Sequence, residues 1–264
     1  MTGEEGSMFR KKSAVAVILL ALMLTFFTGV LAEEMKAITL ADDGSSAGAD
    51  GVLVEGNVIR IKKAGDYLIS GSLANGQIVV SGEPDSKVGL FLNNVSLHNE
   101  TGPAISIEGG LKRVTVSLVE GTENNLSNGE NLIFTEGDKE PSGVIFSRSD
   151  LTITGTGRLS VQAGALDGIS SRDDLRLIGC SVSVTAPRHA IRGKDYVQVT
   201  SASLNLRAGK DGLRSTADDR EDRGYLEITD STVEIACGDD AFYYITRLTV
   251  VNSSLNCSVL SEGF

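Results

Sequence analysis

Acidic residues recur at a fixed spacing in the second half of the chain. A short phrase appears four times, beginning at Asp167, His189, Asp211 and Asp240, at steps of 22, 22 and 29 residues. An acidic insertion at 216–222 accounts for the longer step. If the repeats stack, Asp211 and Asp240 lie about 4.8 Å apart and repel each other by roughly 1–3.5 kcal/mol. A bound cation or a basic neighbour must then neutralise them.

Calcium is one candidate, because it takes about six to eight oxygen ligands and tolerates ligands from adjacent turns. The acids expected to hold it are Asp173, Asp195, Asp211, Asp218, Asp222 and Asp240, whereas Asp167 is predicted to be a turn residue. The alternative is ion pairing with the basic residues beside them, which are Arg172, Lys194, Lys210 and Arg223. No EF-hand loop accompanies the acids, so the sequence leaves both alternatives open.

A second set of candidates follows the apolar residue of each phrase. Its members are Ser170, Arg192, Arg214 and Tyr243. Alternation along a strand turns these side chains outward, so Arg192 and Arg214 would form a basic strip with Lys210 nearby. Guanidinium groups bind carboxylates through two hydrogen bonds, so the strip could hold a uronic-acid polymer. The two arginines could equally balance Asp211 and Asp240.

Short strands must position these residues. The apolar pairs Leu175/Leu177 and Val182/Val184 recur with the same period, so each repeat contains two alternating segments. Alternation indicates strands, and a strand-only repeat of about 20–25 residues indicates a solenoid. We therefore predict an all-β, single-stranded parallel β-helix. Leucine-rich repeats would show an asparagine or cysteine ladder and propellers a period of about 40, and the sequence has neither.

Less regular structure is expected before and after these repeats. Residues 33–50 are predicted to be a leader loop, residues 51–264 the β-helix domain, and residues 120–143 long projecting loops. The strand pattern ends at Val259 without a cap. Uncapped strands are a liability, so we expect either a C-terminally truncated fragment or another subunit over the last rung.

The first 32 residues have the parts of a secretory signal. Arg10 to Lys12 precede an apolar run from Ala14 to Val30, and cleavage is expected after Ala32. The alternative is an uncleaved signal anchor, because about 17 apolar residues reach the lower limit for spanning a bilayer. In both cases the domain is secreted or lies at the cell surface.

Composition excludes several classes of function. A net charge of −11 opposes general binding of nucleic acid or anionic lipid. Two histidines are too few for a zinc site, and three cysteines do not make a disulfide framework, so we expect core thiols. With 8 Phe, 5 Tyr and no Trp, the sequence also argues against an aromatic platform for neutral sugars.

Several phrases resemble a family of secreted bacterial carbohydrate-binding-domain proteins. They are Asp167 to Leu175, His189 to Asp195, Gly209 to Thr216, Asp222 to Ile228 and Gly238 to Ala241. The resemblance implies a right-handed, pectate-lyase-like β-helix that binds calcium and attaches to cellulose or polygalacturonate without established catalysis. It also implies that Asp211, Asp239 and Asp240 are calcium ligands. Residues 200–202 and 229–231 replace the family's usual Gly-Gly, which predicts weaker turns.

The leading functional hypothesis is an extracellular, non-catalytic polysaccharide-binding protein, stabilised by calcium, whose partner is cellulose or an acidic plant-wall glycan. Arg192, Arg214, Lys210 and Tyr243 are the expected carbohydrate-binding residues. One alternative is a calcium-dependent pectate-type lyase, in which an arginine or lysine abstracts the proton beside a uronate carboxylate. The other is an adhesin or surface stalk without glycan affinity. The sequence does not indicate the oligomeric state.

Overall fold

The computed structural model describes residues 35–133 and 142–259. All helices and strands assigned in those two ranges are strands, and no helix there could cross a membrane. The residues from Ala37 onward form one unit. The predicted signal peptide, residues 1–32, lies outside the described residues.

The N-terminal strands are irregular in length and direction. They are β1 (Lys36–Leu40), β2 (Ser46–Ala47), β3 (Val52–Glu55), β4 (Val58–Ile61), β5 (Gly65–Leu73), β6 (Gln77–Val80) and β7 (Lys87–Asn99). β1 and β3 pair antiparallel with β2 and β4, and parallel pairing starts with β4–β6 and β5–β7. The predicted leader loop is therefore wrong at β1 and β2, because β1 pairs with β5 and buries Ile38 and Leu40 in the core.

From β8 onward the chain coils with three strands in each turn. The strands are β8 (Ile105–Ile107), β9 (Arg113–Leu118), β10 (Glu123–Asn128), β11 (Gly143–Ser147), β12 (Asp150–Thr154), β13 (Arg158–Ala163), β14 (Asp167–Ser171), β15 (Asp174–Ile178), β16 (Ser181–Ala186), β17 (Ile191–Gly193), β18 (Tyr196–Thr200), β19 (Ser203–Ala208), β20 (Leu213–Ser215), β21 (Tyr225–Thr229), β22 (Thr232–Cys237), β23 (Phe242–Tyr243), β24 (Leu248–Val251) and β25 (Ser254–Val259). All of them pair in parallel with strands of the preceding and following turns, which confirms the parallel β-helix.

The three strands of each turn form three faces. The first face, from β8 to β23, belongs to a 9-stranded sheet. The second face, from β9 to β24, and the third face, from β10 to β25, belong to one 16-stranded sheet, because the long strand β7 pairs with β9 through its first half and with β10 through its second. The sequence predicted two strands per repeat. The repeated phrase supplies the third, at β14, β17, β20 and β23.

Strand register confirms the period read from the sequence. Leu175 is opposite Val197, which is opposite Leu226 across the insertion. On the third face Val182, Leu204 and Val233 align in the same way. These columns point inward and are at most 2% exposed. Burying each such side chain contributes about 1.5–3 kcal/mol, so the stacked columns form one continuous core.

Strand β10 corrects the loop predicted for residues 120–143. Its sequence is polar, yet Asn124, Leu126 and Asn128 alternate into the interior and are buried. Asn124 accepts the backbone N–H of Val95 through Oδ1 at 2.9 Å, and its Nδ2 donates to the carbonyl of Arg158. Because these bonds satisfy the buried amide, a polar segment can occupy an interior strand position. Residues 134–141 lie outside the described part of the loop.

The turn from the second to the third face keeps its geometry without glycine. One residue with positive φ occupies this turn on five successive rungs, namely Gly155, Gly179, Ser201, Asp230 and Asn252. The backbone N–H of Gly179, Ser201 and Asp230 donates to the next rung at 2.9 to 3.0 Å. The predicted weakening of the turns at 200–202 and 229–231 therefore does not change the backbone path. Its cost is limited to the left-handed conformation of a non-glycine residue.

The three cysteines are free thiols. Cys180 and Cys237 are buried and Cys257 is exposed on β25. Core positions are therefore confirmed for two of them. Burial raises the pKa of the Cys180 thiol to about 12, which keeps it protonated and unreactive.

Candidate functional site

A ladder of side-chain acceptors connects the rungs at the turn from the third face to the first. Asp167 Oδ1 accepts the backbone N–H of His189 at 3.3 Å, and His189 Nδ1 accepts that of Asp211 at 3.3 Å. Asp211 Oδ1 accepts the N–H of Asp240 at 3.2 Å. The fixed period of the phrase thus places one acceptor below each backbone donor. The ladder explains why acids occupy these positions.

Two arginines neutralise the acids of the ladder. Asp167 is fully buried at the start of β14, where Arg188 donates to both carboxylate oxygens at 2.6 and 3.0 Å. Asp211 is 1% exposed and pairs with Arg214. The prediction that Asp167 is a turn residue is therefore wrong. Sequence reasoning also missed Arg188, although Arg188 and Lys210 stand one period apart, just before the ladder residue.

His189 separates the two buried carboxylates as a neutral ring. Burial lowers the pKa of His189 to about 4, although Asp167 and Asp211 act in the opposite direction. Its Nδ1 accepts a backbone N–H, so the ring proton belongs on Nε2. An uncharged ring at this position avoids a third buried charge between Asp167 and Asp211.

Asp211, Asp239 and Asp240 come together, as the resemblance implies. One carboxylate oxygen from each lies within 4.8 Å of the others. Asp239 and Asp240 are exposed, and in the described part of the chain no protein group pairs with their carboxylates. An all-oxygen set of this kind fits a hard divalent cation. Arg214 competes for one oxygen of Asp211, so the other two acids are the freer ligands.

Asp173 and Asp195 lie on adjacent rungs but have different partners. Asp173 groups with Asp150 and Asp174, again within 4.8 Å. Burial, followed by Asp150, raises the pKa of Asp174 to about 6, although Arg176 donates to this carboxylate at 2.8 Å. Asp195 is 5% exposed and pairs with Arg223 Nε at 3.1 Å. Sequence reasoning missed Asp150 and Asp174.

The acidic insertion stays apart from the Asp211 group. Asp222 pairs with Arg220 at 2.6 Å, and Asp219 lies 3.5 Å from Arg223. Asp218 is exposed. Among the described residues, neither Asp218 nor Asp222 belongs to a group of three possible metal ligands. Their role as calcium ligands therefore remains a prediction without a geometric partner.

The basic strip has the register expected from the sequence. Arg192 is opposite Arg214 on the neighbouring strand, and Arg214 is opposite Tyr243. The guanidinium of Arg214 lies 3.9 Å from the ring centroid of Tyr243. Arg192 contacts Asp167 only at 3.9 Å, and Lys210 is exposed beside the strip. The strip therefore presents cationic groups directly beside the Asp211, Asp239 and Asp240 carboxylates.

Comparison with known proteins identifies the family. Residues 55–262 match the family described as carbohydrate-binding domain-containing protein. The chain belongs to this family. A carbohydrate-binding domain-containing protein from Acetivibrio thermocellus is 29% identical over 261 residues, which cover 95% of this chain and 91% of the relative. The solved gadolinium derivative of a polysaccharide lyase-like protein from C. thermocellum has a TM-score of 0.76 at 27% identity, covering 86% of this chain and 97% of that one.

This carbohydrate-binding domain protein uses its stacked tyrosines internally. Tyr196 and Tyr225 stack on the second face with ring centroids 4.9 Å apart. Arg176 lies over Tyr196 and Arg247 lies over Tyr225, at 4.9 and 3.9 Å from the ring centroids. Each ring is covered on both sides. These two rings are therefore unavailable for stacking on a sugar, and recognition must rely on polar contacts elsewhere.

Proposed function

We propose that the chain is a non-catalytic polysaccharide-binding protein that acts outside the cytoplasm and is stabilised by calcium. In this proposal an acidic glycan places its carboxylates against Arg192 and Arg214, with Lys210 and Tyr243 at the edge of the contact. The observation that carries the proposal is the register of the two arginines on adjacent rungs, beside three convergent carboxylates. Membership of a carbohydrate-binding family supports the class of partner.

Local charge determines how an acidic polymer could approach an acidic protein. The net charge of −11 repels a polyanion at long range. At short range, two guanidinium groups spaced by one rung, about 4.8 Å, can each hold a carboxylate through paired hydrogen bonds. Arg192 is the freer of the two, because Arg188 already neutralises Asp167.

Calcium would be held by Asp239 and Asp240, with Asp211 as the third ligand. A bound divalent cation would neutralise the three acids and supply open coordination positions for oxygen ligands. Glycan carboxylates are ligands of that kind, so binding of an acidic polymer should depend on the ion. The second acidic group, which contains Asp173, already has Arg113 and Arg176 among its neighbours and needs a cation less.

Pull-down on polygalacturonate, with calcium or with a chelator, tests this proposal. Arg192→Gln should weaken binding by about tenfold, the loss expected for one charge-assisted contact. Arg220→Gln is the matched control, because it removes the same charge from an exposed pair in the insertion. Asp239→Asn with Asp240→Asn should remove the effect of calcium. Equal binding by both arginine variants would overturn the assignment of the strip.

A calcium-dependent lyase is the second candidate, and the environment of Arg192 favours it. Burial lowers the pKa of the Arg192 guanidinium, although Asp167 acts in the opposite direction. A general base must release its proton, so a lowered pKa beside acidic residues suits that role. A lyase would convert polygalacturonate, in the presence of calcium, into an unsaturated product that absorbs ultraviolet light. Binding without any rise in absorbance would exclude it.

A further inference from the structure

The third face carries columns of small polar side chains that the site described above does not use. On strands β10, β13, β16 and β19 the outward residues near the middle of the face are Asn125, Ser160, Ser181, Ser183, Ser203 and Asn205. Register places Asn125, Ser160, Ser183 and Asn205 in one column. Small side chains between longer ones leave a groove of about 420 Å³.

The serines of this groove differ from the other serines of the protein. At the corners of the helix, Ser147, Ser171 and Ser215 each donate to a backbone carbonyl, at 2.6 to 3.2 Å. In the described part of the chain, Ser160, Ser181, Ser183 and Ser203 make no hydrogen bond through their hydroxyl groups. The corner serines hold the turns. The serines of the groove leave both donors and acceptors available to a ligand.

Charge in the groove is balanced, unlike the charge of the whole chain. Glu123 and Arg158 line one end of the groove and carry opposite charges. The face continues over β22 and β25 into a second depression of about 200 Å³, which Asn205 also lines. There Arg207 and Glu234 again carry opposite charges. The surface therefore offers neutral hydrogen-bonding groups over six strands, without a net field to attract a polyanion.

We propose that this third-face groove binds a neutral, linear, hydroxyl-rich glycan, with the chain running along the helix axis. The polar columns repeat at the rung spacing of about 4.8 Å, so an extended chain of sugar rings meets similar hydroxyl and amide groups at each step. The inference rests on the proposed polysaccharide binding, but it assigns a separate surface. Arg192 and Arg214 lie on the first face and take no part in it.

Titration with two ligands tests the groove independently of the basic strip. The probes are cellohexaose, a neutral β-linked oligosaccharide, and polygalacturonate with calcium. The double variant Ser160→Gln with Ser183→Gln fills adjacent positions of the column, and Ile178→Gln is the control at an exposed position of the second face. We expect the double variant to bind cellohexaose at least about tenfold more weakly and to bind polygalacturonate normally.

A smaller change protects the test against misfolding. Asn205→Ala removes one exposed amide, whose bond to Glu234 is long at 3.3 Å, and should weaken cellohexaose binding several-fold without changing the melting temperature. Unchanged cellohexaose binding by both variants overturns the groove, as does a wild-type protein that binds polygalacturonate but no neutral glycan. Loss of polygalacturonate binding alone would instead contradict the proposed role of the basic strip.

Discussion

Replacing Arg188 by methionine should leave a buried carboxylate without its main partner. Asp167 is fully buried and receives two hydrogen bonds from Arg188, at 2.6 and 3.0 Å. After the change it keeps the His189 N–H at 3.3 Å and the distant Arg192 at 3.9 Å. Removing one partner of a buried pair typically costs about 3–5 kcal/mol. For a chain of this size that corresponds to a fall of roughly 6–20 °C in melting temperature.

Thermal unfolding followed by circular dichroism measures this effect. Arg220→Met is the matched control, because the Arg220–Asp222 pair is equally short but exposed, and exposed pairs contribute little to stability. Adding Asp167→Asn to Arg188→Met should recover most of the loss, since the amide oxygen can still accept the His189 N–H. If Arg188→Met melts like Arg220→Met, or if the double variant is no more stable than the single one, the ladder does not depend on this ion pair.

Three further predictions concern stability. In chelator, the wild type should lose stability as pH falls from 6.5 towards 4, because only the unfolded chain protonates His189 there; His189→Asn should flatten this slope in urea titrations. Gly179→Ala should lower the free energy of unfolding by about 1–2 kcal/mol, and Ser201→Gly should raise it, since both residues have positive φ. Gly168→Ala should cost about 1–3 kcal/mol in thermal melts, because its Cβ would lie 2.2 Å from Val184.

Periodic positions could be predicted because stacking converts period into contact. Arg192, Arg214 and Tyr243 share a column because a parallel sheet aligns residues one repeat apart. The same reasoning placed the apolar columns of the second and third faces. The first face was not predicted as strands, because β17 and β20 contain only three residues each. Alternation cannot be recognised in so short a segment.

Lateral side-chain contacts could not be predicted in this way. Arg188 reaches back to Asp167 on the previous rung, and this depends on its rotamer rather than on the period. Asp150 and Asp174 also escaped notice, although they are in register with Tyr196 two rungs apart from Asp150, because their strands were recognised only by their apolar residues. Strand β10 was missed because its interior asparagines are satisfied by the backbone, which polarity alone does not indicate.

The central claim is that this carbohydrate-binding domain protein holds an acidic glycan beside a calcium site. Its most direct test is the affinity of the wild type for polygalacturonate, measured by calorimetric titration in calcium and again in chelator. The account predicts saturable binding in calcium that becomes at least about tenfold weaker in chelator, without heat from cleavage. The absence of binding in calcium, or the same affinity in both conditions, would contradict it.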